Sequence, residues 1–172
     1  MHHNPELESP MKRYIFSAPV RGLLLALLAF IGTGAAQAAL GQAPSVAAPG
    51  SAPSGARMLA AVPAANGMYT VHEAVLANGS TVREYASAGG IVFAVTWKGP
   101  LLPDLGALLG NYFPTLQLQT EQNRQAGLRR APVTMERDGL VLQSMGHMRN
   151  FFGSAYAPAL VPNGVSINHV LQ

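Results

Sequence analysis

Residues Tyr69 to Tyr85 read Tyr-Thr-Val-His-Glu-Ala-Val-Leu-Ala-Asn-Gly-Ser-Thr-Val-Arg-Glu-Tyr, and this stretch decides the fold. Two runs rich in β-branched and aromatic residues flank Asn78-Gly79, the strongest short-range signal for a β-hairpin. Two registers compete. A two-residue turn would set Glu73 opposite Glu84, carboxylate against carboxylate. A three-residue loop ending in a left-handed residue at Gly79 instead sets Glu73 opposite Arg83 and His72 opposite Glu84. Opposed like charges destabilise, whereas opposed ion pairs contribute about 0.2–1 kcal/mol. The three-residue loop is therefore predicted.

Downstream, Gly89-Gly90 turns the chain into Ile91-Val-Phe-Ala-Val-Thr-Trp97. Ile91, Phe93, Val95 and Trp97 alternate with smaller residues, so a half-buried strand with a bulky inner face is predicted at the centre of the sheet. In Pro103 to Phe113, Leu105, Leu108, Leu109 and Tyr112 fall at i, i+3, i+4 and i+7, the apolar stripe of a helix. Pro103 and Asp104 suit its start, and Pro114 is expected to stop it. Leu116 to Arg130 is polar and Gln-rich, either a short helix or a surface loop. Asp138-Gly139 joins two further strand-like runs, and one extended segment follows around Phe151, Phe152 and Tyr156. The fold class expected is α+β: a small antiparallel β-sheet of about five strands with one packed short helix.

Upstream, the composition changes. Lys12-Arg13 and Arg21 precede an apolar run from Gly22 to Ile31, and Ala36-Gln37-Ala38 supplies small residues at the −3 and −1 positions of a cleavage site. This is the order of parts in a secretory signal. The apolar run is about 10 residues, and a bilayer span needs roughly 20. The expected division is therefore a signal over 1–38, cut between Ala38 and Ala39, a flexible Ala/Pro/Gly spacer over 39–67, and one β-rich domain over 68–172. Glu6 and Glu8 dilute the basic start, so translation is expected to begin at Met11.

Composition excludes several functions. The 172 residues contain no cysteine, which removes disulfides, thiolate catalysis and thiolate metal sites together. The pI of about 9.6 is inflated by the signal: beyond Ala38, eight Lys and Arg face six Asp and Glu, a net of +2. Arg129-Arg130 is the only basic pair there, whereas nucleic-acid surfaces need a stripe or cluster of cations. No nucleic-acid partner is expected, and no transmembrane span once the signal is gone.

Few motifs carry chemistry. There is no Gly-x-Ser-x-Gly elbow, and Ser144 near His147 or Ser166 near His169 is proximity along the chain only. No catalytic residue is assigned. Met145-Gly146-His147-Met148 offers thioethers and an imidazole, donors that suit copper(I). On a strand, however, Met145 and His147 share a face and Met148 points away, so Met135, His72 or His169 would have to complete a site. Methionine as core filler is the preferred reading, and no cofactor is expected. Trp97, Tyr85, Phe93 and Phe151 are expected in the core rather than along a ligand groove. His147 and Arg149, polar within an apolar stretch, are the candidates for a ligand-binding surface.

Larger motifs add a resemblance. Arg83-Glu84-Tyr85, Val92-Phe-Ala-Val-Thr-Trp-Lys-Gly-Pro100, Leu102-Pro-Asp-Leu105, Gly146-His-Met-Arg149 and the Phe-Gly-x-Ala-Tyr-x-Pro stretch from Phe152 to Pro158 resemble DUF2844. So does the expected mature start, Ala39-Leu40-Gly41. That is a family of exported proteobacterial, Burkholderia-type proteins of unknown function. The resemblance implies an exported single-domain protein of the periplasm or the extracellular space, and brings no activity, catalytic residue or ligand. The leading functional expectation is a non-enzymatic domain that binds or scaffolds an envelope protein or ligand. The alternatives are a small envelope hydrolase and a copper-binding module.

Overall fold

The Asn78-Gly79 hairpin forms in the register that pairs opposite charges. In the computed structural model, which describes residues 40–45, 56–64, 67–128 and 131–171, strand β2 (Tyr69–Val75) runs against β3 (Thr81–Ser87). His72 lies opposite Glu84, and Glu73 opposite Arg83. Leu76 and Ser80 close the loop at 2.8 Å, and Gly79 takes the left-handed conformation at φ 82°, which a residue without Cβ adopts at little cost.

The remaining strands are β1 (Arg57–Pro63), β4 (Val92–Gly99), β5 (Val133–Arg137), β6 (Leu140–His147) and β7 (Asn150–Tyr156). They form one antiparallel sheet of seven strands in the order β1-β2-β3-β4-β7-β6-β5. About five were expected. β1 rises from the Ala/Pro-rich stretch assigned to the spacer, and the single extended tail segment is a full strand, β7, seated between β4 and β6. Strand β4 is central, as predicted. Asp138-Gly139 makes a two-residue turn between Arg137 and Leu140, with both φ angles positive at 50° and 74°, the geometry that matches strand twist.

The inner face of β4 differs from the simple alternation. Pairing shifts between Tyr85 and Ala86, which face Ala94 and Val92 respectively. The extra residue, Phe93, is a β-bulge. It turns Phe93 away from the helix-facing core, where Val92, Val95 and Trp97 reside, into a second cluster on the opposite face.

Helices α1 (Leu105–Leu109) and α2 (Phe113–Gln125), joined by a 3-10 turn over Gly110–Tyr112, cover one face of the sheet. Asp104 caps α1, its side chain accepting from Ala107 N–H at 3.1 Å. The helical run does not stop at Pro114. The turn at Gly110 restarts it, and Pro114 then sits in the first turn of α2, where a missing N–H costs nothing. Most of the Gln-rich segment is thus helix. Leu108, Leu109 and Leu116 pack on Val82, Val95, Trp97, Leu140, Leu142 and Ala155. Beneath them Trp97 lies over Gly153, its partner across the β4–β7 ladder. A Cβ at 153 would come within 2.7 Å of Trp97 Cε2, so only glycine admits the indole.

Residues 40–45, also assigned to the spacer, are part of this core. Leu40 is 1% exposed, worth about 2 kcal/mol in removed apolar surface. Leu40 N–H donates to Leu108 C=O at 2.9 Å, Gly41 N–H donates to Val92 C=O, and Val92 N–H donates to Gln42 C=O, the last two at 2.8 Å. The composition here is poor in large apolar residues, but one leucine and backbone pairing suffice to fix a short segment. On the opposite face, residues 158–171, with α3 (Ile167–Val170), cover one end only. Val170 packs there on Tyr85, Phe93 and Ala94. The expected signal over 1–38, its cleavage point at Ala38–Ala39, residues 46–55 of the spacer and the pair Arg129-Arg130 lie outside the described residues.

Candidate functional site

The sheet face opposite α1 and α2 carries three cross-strand rows of side chains, of which the α3 segment covers the first and leaves the other two open. Because facing residues in adjacent strands share a face, the pairings specify each row. The row nearest α3 is Val71, Tyr85, Ala94, Tyr156 and Val141, mostly apolar and aromatic. Tyr85 stacks there with Tyr69 and Phe93 at centroid separations of 6.2 and 6.5 Å. The next row is Glu73, Arg83, Thr96, Ser154 and Gln143, polar at every position across five strands. The third is Val75, Thr81, Lys98, Phe152 and Met145.

The second and third rows floor an open trough of about 510 Å³, lined among others by Arg83, Thr96, Lys98, Gln143, Phe152 and Ser154. A further hollow of about 490 Å³ beside Asn168 and Ile167 shares Gln143, Ser154 and Leu171 with it. Arg83 donates through Nε to Glu73, half-exposed, with its pKa raised chiefly by that bond. Lys98 is exposed and has no ion-pair partner among the described residues.

A different polar group lies on the helix-covered face. Glu84 is 4% exposed and accepts two bonds from the N-terminal segment, from Ser45 Oγ at 2.8 Å and Ser45 N–H at 3.1 Å. Burial raises its pKa, and the Ser45 bonds partly oppose that. His72 stands opposite Glu84 in register, but no ion pair joins them. Burial lowers the His72 pKa, and its Nδ1 is buried without a partner. Serine, imidazole and carboxylate are therefore neighbours without the required order of bonds, since the serine proton goes to the carboxylate and not to the imidazole.

The residues singled out by sequence separate. Met145 lines the trough. His147, two residues on along the same strand face, is exposed at the end of β6. Arg149 lies in the β6–β7 turn at φ 65°, and Met148 at its tip is 92% exposed. Met135 is buried on the helix-covered face with Leu142, His72 lies on that same face, and His169 is exposed on α3. Trp97, Tyr85 and Phe93 are core, as expected, whereas Phe151, at the start of β7, is only half-buried and outside both core clusters. Beyond the Glu73–Arg83 pair, the polar row was not anticipated. Its members come from five strands, and for the rest only the alternation of Thr96 and Ser154 with non-polar neighbours hints at it.

Among the described residues no group of three or more His, Cys, Asp or Glu side chains could hold a metal ion, and no helix is long and apolar enough to cross a membrane. The geometry defines an α+β domain, sealed on one sheet face and offering a ligand-sized polar trough on the other. The chain belongs to the DUF2844 family, described as a protein of unknown function, which it matches over residues 36–170. No curated protein and no solved structure matches it.

Proposed function

We propose that this protein is an exported binding domain that holds an extended polar ligand across the open face of its sheet. The observation that carries the reading is the row Glu73, Arg83, Thr96, Ser154 and Gln143. Packing does not call for five hydrogen-bonding side chains in line, and what sets them apart from an ordinary solvated sheet face is that they line one concavity, since ligand sites are marked by a few convergent polar groups in a hollow. A hydrolase needs a base within reach of its nucleophile. Ser154, the serine in the trough, has Thr96 and Gln143 as row neighbours. Export rests on the signal-like residues 1–38, and cleavage after Ala38 would leave Leu40 free to dock as the second residue of the mature chain.

The test is a binding screen of oligosaccharides, nucleotides and peptides against the wild-type protein and a Thr96→Lys, Ser154→Lys variant that fills the trough. At least one compound retained by the wild type and lost by the variant is expected. If nothing separates the two proteins while both stay folded, the open face is not the site.

A further inference from the structure

The occupant of the trough can be narrowed by asking which extended polymers a sheet face can hold. We infer that it is a strand of acidic polysaccharide, laid across β2, β3, β4, β7 and β6 with a sugar carboxylate against Lys98. This rests on the binding reading above.

Three observations select that chemistry. First, a face presents side chains only. An extended peptide is recognised through its backbone at a free sheet edge, which here means β1 or β5, the outer strands of the order. A polyhydroxylated chain has no such need, because its own hydroxyls meet Thr96, Ser154 and Gln143 directly. Five strands at a spacing of about 4.8 Å give a polar row about 19 Å long, enough for several sugar rings.

Second, the charge is specific in number. Arg83 is occupied by Glu73, whereas Lys98 has no ion-pair partner among the described residues. It stands between Thr81 and Phe152 in its row. The trough thus offers one uncompensated cation beside hydroxyls, suited to one acid group at that point.

Third, a single aromatic ring is available for stacking. Phe152 is 39% exposed, while Tyr85 and Trp97, which also border the trough, are buried at 6% and 2%. Single-stranded nucleic acid is held by two or three stacking rings together with a line of cations. One ring flanked by Lys98 and Met145 fits the apolar face of a pyranose.

Calorimetric titration of the purified protein with a galacturonate hexamer, its neutral methyl ester and an oligo-dT of similar length tests this. The hexamer should bind, with affinity falling as salt rises. Lys98→Met should weaken it about tenfold, the scale of one charge-assisted bond, and Lys98→Arg should retain most of it. Phe152→Ala should weaken hexamer and ester alike. Both positions are exposed, so unchanged melting temperatures will show that the variants fold. Equal binding of hexamer and ester overturns the acid assignment and leaves the open-face reading standing. Tighter binding of oligo-dT overturns the glycan in favour of nucleic acid. If none of the three binds, this inference fails. The open-face reading then stands or falls on the wider screen above.

Discussion

The two faces of one sheet are built from the same strands and have opposite characters. On the face under α1, α2 and residues 40–45, β3, β4, β7 and β6 present Val82, Val95, Trp97, Ala155, Leu140 and Leu142, all buried. On the other, the same four strands present Arg83, Thr96, Ser154 and Gln143. Packing accounts for these apolar residues of the sealed face, where buried polar groups include Glu84, bonded to Ser45, and His72. It accounts for the open face only near α3, where Tyr85, Phe93 and Ala94 are covered. The difference separates what the protein needs to fold from what it presents to its surroundings.

That separation can be broken experimentally, beginning where the effect is greatest. Leu109→Ala and Leu40→Ala, both at fully buried positions, should each cost about 2–5 kcal/mol in urea unfolding. A passive spacer at 40–45 would make the Leu40 change silent, and that result would remove the N-terminal segment from the core. Gly153→Ala forces a Cβ into Trp97 and should cost about 1–3 kcal/mol, as overpacking does, with a shift in tryptophan fluorescence.

Next comes pH. The Glu84 carboxyl is raised by burial above its ordinary 4.5. Between that value and the folded one, the native state holds more protons than the unfolded, so stability falls as pH rises through the window. Glu84→Gln should flatten that fall in urea midpoints measured against pH. His72, lowered by burial from 6.5, acts in the opposite sense, its contribution being lost as pH drops below 6.5. His72→Gln should flatten that limb alone. The smallest effect belongs to the open face, where Thr96→Val with Ser154→Ala should change stability by no more than about 0.5 kcal/mol. A large loss there would mean that the polar row supports the fold, and would erase the contrast between the faces.

Much of the sheet was legible in local sequence. Asn78-Gly79 with its flanking charges set one hairpin and its register, Asp138-Gly139 set another, and the apolar run of β4 marked the centre. Asp104 marked the start of the helix. Other features were illegible for physical reasons. β1 has little side-chain signal because backbone pairing with β2 creates it. Pro114 reads as a stop until Gly110 supplies a break that makes it a first-turn residue. The bulge that turns Phe93 over arises from pairing with β3, and period-two alternation contains no trace of it. Glu84 faces His72 in the predicted register, but in place of the expected ion pair its carboxylate accepts from Ser45, 39 residues away in sequence.

The sequence by itself determined the α+β class, the two hairpins, the central strand, the absence of thiol chemistry and the family, because each depends on residue identity or on short-range spacing. Only the tertiary structure decided that residues 40–45 belong to the core and which side chains share the open face. Cross-strand rows are set by register between distant segments. Ser154 and Thr96 become neighbours only when β7 inserts between β4 and β6, and no interval along the chain encodes that step.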